Sequence, residues 1–104
     1  MNSKQKGKRG ELDWVHYLKD HGFFARRSRQ YCGANGDPDV VCEELPIHWE
    51  VKRVEKLNLD KAMKQADNDC KEGLIPIVAH RKNGMKWKIT MSADDFFKIY
   101  KGDV

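Results

Sequence analysis

Hydrophobic and polar positions recur along this chain with two different periods, and the changes of period divide it into eight elements. Residues 4–21 carry Leu12, Val15 and Leu18 at three-residue spacing, with Trp14 beside them and Gly22 just beyond, the pattern of an amphipathic helix with a glycine stop. Phe23 to Arg27 is short and aromatic-led and reads as a strand. "SRQYCGANGDP" is a loop, because its two glycines, Asn35 and Pro38 disfavour regular structure. "DVVC" reads as a second strand and Glu43 to Pro46 as a turn. "IHWEVKRV" alternates cleanly, with Ile47, Trp49 and Val51 on one face and His48, Glu50 and Lys52 on the other. Leu59 to Lys71 returns to helical spacing, with Leu59, Ala62, Met63, Ala66 and Cys70 as a thin apolar stripe and Gly73 as its stop. "LIPIVAH" is almost continuously apolar, which suits a strand covered on both faces. Asn83-Gly84 is a hairpin signal before the alternating "MKWKITM". Ser92, with Asp95 three residues on, is a helix N-cap, and Phe96, Phe97 and Tyr100 are expected to supply the last helix with its apolar contacts. The expected order is α-β-β-β-α-β-β-α, an α/β domain whose mixed sheet is flanked by helices on both faces.

A chain of 104 residues is expected to form a single domain over 1–104, with a basic segment at 1–9 and one modest core. No apolar run approaches the ~20 residues of a membrane span, so no membrane association is expected. The basic start lacks the apolar stretch of a secretory leader. The expected compartment is the cytoplasm of a bacterial, archaeal or phage-infected cell. Cys32, Cys42 and Cys70 include no close pair, which argues against a disulfide framework or a zinc site and leaves them as small, partly buried thiols.

Charge changes the picture. The net charge is +4, but residues 1–31 hold eight basic side chains against three acidic ones, so the excess sits in the first third and the remainder is slightly acidic. A basic rim beside an acidic centre suits phosphate binding around a metal pocket, although a solvated helix face produces the same asymmetry. The acidic centre contains the sharper signal. Asp39 opens one predicted strand after a proline, and Glu50 and Lys52 project from the same face of the next. Charged residues are poor strand formers, and Trp49 and Val51 mark that strand as interior, where charge is costly without a purpose. If the strands pair, Asp39 and Glu50 can share a divalent cation, and hard oxygen donors with room for water and phosphate oxygens suit Mg²⁺, with Mn²⁺ the alternative. Such a cation polarises a phosphoryl group and activates water, while Lys52 orients that water or offsets developing charge. Bland readings stand beside these. Asp39 is also a good turn residue, Glu50 and Lys52 also suit an exposed charge pair, and Glu11 also suits an ordinary helix surface. His48 shares the face of Glu50. Trp14, Trp49, Trp87, Phe96 and Phe97 read as core rather than as base-stacking platforms.

Pro38-Asp39, a spacer of ten residues and Glu50-Val51-Lys52 resemble the signature of the PD-(D/E)xK nuclease superfamily, with each half on a predicted strand and a helix carrying Glu11 in front. The likeness extends further. "KGKRGELDWVHYLKDHGFFARRS" resembles the opening of archaeal-type Holliday junction resolvases, and "GLIPIVAHRKNGMKWKITMS" their closing strand pair. The resemblance spans about Lys6 to Ser92 and implies a restriction endonuclease-like core. It implies Glu11, Asp39 and Glu50 as the acidic metal centre, with the Val51 carbonyl as a further ligand and Lys52 as the catalytic lysine. Lys8, Arg9, Arg26, Arg27 and Arg81 would contact DNA, and Gln65 would lie near the site. The chain departs from that family at Leu12, where an arginine often follows the helix glutamate. It departs again in the polar "KQADNDCKEG" of the second predicted helix, where family members have apolar dimer packing.

The function this implies is a Mg²⁺-dependent, structure-selective DNA endonuclease, a Holliday junction resolvase acting as a homodimer on branched double-stranded DNA. Recognition would rest on phosphate contacts and DNA shape. The alternatives are a related nuclease acting on flaps, forks or DNA ends, and a non-catalytic protein that binds branched DNA.

Overall fold

The computed structural model describes the backbone of residues 3–28 and 38–103, and within these spans the side chains from residue 7 onward. Residues 29–37 of the predicted loop, Cys32 among them, lie outside the described residues. The elements follow the expected order: α1 (Ser3–Asp20), β1 (Arg26–Arg27), β2 (Val40–Val41), β3 (Ile47–Arg53), α2 (Leu59–Asp69), β4 (Ile75–Arg81), β5 (Lys88–Thr90) and α3 (Ala93–Lys101). No described helix is long and apolar enough to cross a membrane.

The strands form one mixed sheet in the order β1-β2-β3-β4-β5. Only β3 and β4 run parallel, from Ile47 opposite Ile75 to Arg53 opposite Arg81. A parallel pair needs a long crossover, and α2 is that crossover. Alternation on β3 and β4 then sorts the two faces. Trp49, Val51, Ile77 and Ala79 join Trp14, Val15 and Leu18 of α1 in the larger core, where the Trp14 ring stands 4.9 Å from both Trp49 and Trp87. On the opposite face Val78 packs against Ala62 and Ala66 of α2. Asn58 starts that helix by accepting the Lys61 amide at 3.1 Å.

Two places show how tightly the helices are seated. A methyl group built at Gly10 would stand 3.1 Å from Cβ of Arg53, so a bare α-carbon lets α1 close onto β3 immediately before Glu11. At the other end of the chain, Ser92 accepts the Asp95 amide as expected, and Gly102 (φ 74°) closes α3 in the left-handed conformation.

The last helix corrects the sequence reading. Among the described residues, Phe96, Phe97 and Tyr100 belong to neither core cluster. They are 49%, 53% and 79% exposed, and α3 has no buried residue. The physical reason is topological: α1 and α2 already cover the two faces of the sheet, and α3 follows the edge strand β5. The rings contact one another instead: Phe96 meets Phe97 edge-on at 5.3 Å and stacks with Tyr100 at 6.2 Å. Leu12 and Phe24 also lie at the surface rather than in the core. The basic segment at the start is helical from Ser3, in line with the helix expected over residues 4–21.

Candidate active site

The site grows out of the junction of β2 with β3. The two strands pair only briefly, at Val40 opposite Trp49. The Asp39 amide donates to the Trp49 carbonyl at 2.9 Å. Two residues further along β3, a carboxylate oxygen of Asp39 accepts the Val51 amide at 2.9 Å. A side chain thus takes up a strand amide of β3 beside the short β2 pairing. Asp39 is fixed alongside β3 at the level of Glu50 and Lys52.

Glu50 lies on the α2 face of the sheet, and its side chain is only 3% exposed. Burial, reinforced by the negative charge of Asp39, pushes its carboxyl up to about 7 against the opposing pull of Lys52; Asp69, at the end of α2, adds to the rise. Lys52 Nζ stands 3.7 Å from Glu50 Oε2, with its side chain reaching partly into solvent. The buried His48 lies on the other side, its Nε2 4.0 Å from Glu50 Oε1. A buried carboxyl poised near neutrality between a second carboxylate and an amine is an arrangement found at functional sites.

Glu11 approaches from α1. Burial raises its carboxyl above the ordinary value; the bond from Arg27 opposes that rise and the charge of Asp39 adds to it, so Glu11 senses the same centre. Its principal partner is Arg27, whose Nε donates to Glu11 Oε1 at 2.8 Å. The structure therefore gathers Asp39, Glu50 and Lys52, and holds Glu11 beside them in an ion pair with a residue expected to contact DNA.

The donor chemistry suits a hard divalent cation. Asp39 and Glu50 repel one another, and a cation between them would relieve that repulsion and the cost of ionising Glu50. The Val51 backbone, engaged by Asp39 through its amide, runs directly past that carboxylate. Among the described residues, no three His, Cys, Asp or Glu side chains already stand at ligating separations. Glu11 is drawn toward Arg27 rather than toward Glu50.

The remaining expected contacts are dispersed. Lys8 and Arg9 are exposed on α1, and Arg26 is exposed on β1. Arg81 lies on the opposite face from Glu50, where its guanidinium pairs with Asp13 at 3.3 Å and stacks over Trp87 at 5.6 Å. Gln65 is exposed on α2, off the Ala62 and Ala66 line that meets the sheet. Sequence reasoning missed Asp69. The signal was present, since Asp69 follows Ala62 and Ala66 at helical spacing and so belongs to the stripe that α2 turns toward β3 and β4.

Neither a protein-family model nor a curated protein matches this chain. Among solved structures, the fold is similar to that of Hjc, a Holliday junction resolvase of the archaeal hyperthermophile Archaeoglobus fulgidus. The TM-score is 0.61 at 23% identity, over 80% of this chain and 73% of that one. The mixed five-stranded sheet with its three helices is thus a resolvase-like fold.

Proposed function

We propose that this chain is a structure-selective DNA endonuclease, a Holliday junction resolvase of PD-(D/E)xK type. The observation that carries the reading is the buried Glu50 set between Asp39 and Lys52 at the β2–β3 junction of a resolvase-like fold. Asp39 and Glu50 would hold a divalent cation, Mg²⁺ or Mn²⁺, with the Val51 carbonyl and, once released from Arg27, Glu11 completing the set. A cation bound there supplies charge stabilisation at the scissile phosphate and acidifies water. Lys52, partly exposed beside Glu50, orients the attacking water and offsets phosphoryl charge. Arg27 holds a backbone phosphate when Glu11 turns to the centre. Lys8, Arg9 and Arg26 add sequence-independent attraction to branched double-stranded DNA.

Resolving a symmetric junction requires two cuts and hence two sites, so the reading includes a homodimer. The exposed apolar face of α3 suits a second copy of this chain. The helix is acidic in its first turn, at Asp94 and Asp95, and basic in its last, at Lys98 and Lys101. Two such helices packed antiparallel about a two-fold axis place each acidic end against the other's basic end.

The test is a panel of four-way junctions, flaps, forks and linear ends incubated with Mg²⁺. Paired symmetric nicks confined to the four-way junction, lost in Asp39→Ala and Glu50→Ala with binding retained, support the resolvase. Cleavage of flaps, forks or ends instead assigns a related nuclease, and binding without Asp39-dependent cleavage assigns a non-catalytic branched-DNA protein.

A further inference from the structure

The register of the sheet sets three side chains in one row. Lys52 on β3 is opposite His80 on β4, and His80 is opposite Lys88 on β5. Bridged residues point to the same side of a sheet, so all three lie on the face that carries Glu50. Neighbouring strands are ~4.8 Å apart, and the row therefore crosses about 10 Å from the catalytic centre to the sheet edge.

At that edge the row enters a groove of about 440 Å³ between residues 54–59 and the β4–β5 hairpin. His80 and Lys88 line it together with Lys56, Lys82 and Lys86. The one carboxylate in the lining, Glu55, accepts the Asn83 amide at 2.9 Å and so ties the two walls together. Arg81 borders the groove, but its guanidinium is held by Asp13. What faces the groove is thus a set of ammonium groups, point charges on flexible stems, above apolar surface from Leu57 and Met85. His80 Nε2 lies 2.9 Å from the Thr90 hydroxyl, which fixes the ring. Burial and then Lys88 push its imidazole below the ordinary value, so near neutrality the charge of the row rests on the lysines.

We propose that Lys52, His80, Lys88 and the groove beyond them form a backbone-phosphate track, along which one strand of the substrate DNA leaves the catalytic centre across β4 and β5. The proposal rests on the nuclease reading of the Glu50 site and deepens it by assigning a direction to the DNA. A row with a lysine at each end, the first of them at the hydrolytic centre, matches a polyanion better than a small anion. Lysine ammonium groups on flexible stems bind phosphate oxygens as point charges, and most protein–DNA contacts of this kind go to the backbone.

The experiment measures binding of a four-way junction without divalent cation across a range of salt concentrations. Each phosphate contact contributes about 0.9 to the slope of log affinity against log salt. In Lys86→Gln/Lys88→Gln the slope is expected to fall by about 1.8, while Lys86→Arg/Lys88→Arg keeps the wild-type slope. A photo-crosslinker at position 88 is expected to label the DNA backbone next to the cleaved phosphate. An unchanged slope in the glutamine variant, with a wild-type melting temperature, overturns the track. So does crosslinking only to the far end of an arm. Binding is read without cleavage, so failure of the track is distinguishable from failure of the nuclease reading, which shows instead as absent Asp39-dependent cleavage.

Discussion

A carboxylate oxygen of Asp39 accepts the Val51 amide at 2.9 Å, and this one bond aligns the end of β2 with the strand that carries Glu50 and Lys52. The bond separates the structural role of Asp39 from its chemical one. Asp39→Asn keeps an acceptor for Val51 and removes the charge, whereas Asp39→Ala leaves a strand amide unpaired. The expected cost to folding is about 1–2 kcal/mol for Asp39→Ala and much less for Asp39→Asn, read by urea denaturation. Both variants are expected to lose cleavage by about 1,000-fold or more, since several kcal/mol of charge stabilisation would go with the cation.

Glu50 makes stability depend on pH. Its folded carboxyl titrates at about 7 against an ordinary 4.5. A group whose folded value is raised contributes stability that is whole below the unfolded value and is lost as pH rises through the folded one. Wild-type protein without divalent cation should therefore lose stability between about pH 4.5 and pH 7. Glu50→Gln, which cannot ionise, should not lose that part. Each tenfold change in proton affinity is worth about 1.4 kcal/mol, so the advantage of the variant at pH 8 has a ceiling of about 3 kcal/mol and vanishes at pH 4. Denaturant melts of both proteins at the two pH values check it. Adding Mg²⁺ at pH 8 is expected to stabilise the wild type and not the variant.

The Glu11–Arg27 pair predicts two effects of opposite sign from one substitution. Glu11→Gln removes a carboxylate that repels DNA and frees the Arg27 guanidinium for a phosphate. Junction binding should tighten about fivefold, near 1 kcal/mol for a partly exposed pair, while cleavage falls. Binding isotherms and single-turnover cleavage measured on the same preparation check both. Unchanged affinity would show that Arg27 does not reach DNA.

The exposed rings of α3 predict an oligomeric effect without a folding effect. Phe96→Glu with Tyr100→Glu should convert a dimer to a monomer by mass measurement and abolish paired nicking. Melting at high dilution should stay within about 0.5 kcal/mol of wild type, as for surface substitutions. A dimer that survives both changes excludes α3 as the interface.

How much of this was legible beforehand follows from which signals are local. The alternation of Ile47, Trp49 and Val51 against His48, Glu50 and Lys52 is a property of one strand, and it carried both the core assignment and the shared face of Glu50 and Lys52. The cap at Ser92 is local in the same sense. The bond from the Val51 amide to the Asp39 side chain was not legible, because it joins two strands that meet only in the folded sheet. The Glu11–Arg27 pair joins residues that meet only after α1 docks at Gly10. Whether an apolar helix face is buried depends on whether a sheet face remains open, and the stripe of Phe96 and Tyr100 reads the same in either case.

The central claim is that Asp39, Glu50 and Lys52 form one hydrolytic centre for branched DNA, and cleavage of a labelled four-way junction with Mg²⁺ tests it most directly. Wild-type protein should release paired nicks at symmetry-related phosphates. Asp39→Asn and Glu50→Gln should bind the junction with wild-type affinity and cut none of it. Cleavage that persists undiminished in either variant, or a wild-type protein that cuts no branched substrate under any divalent cation, contradicts the account.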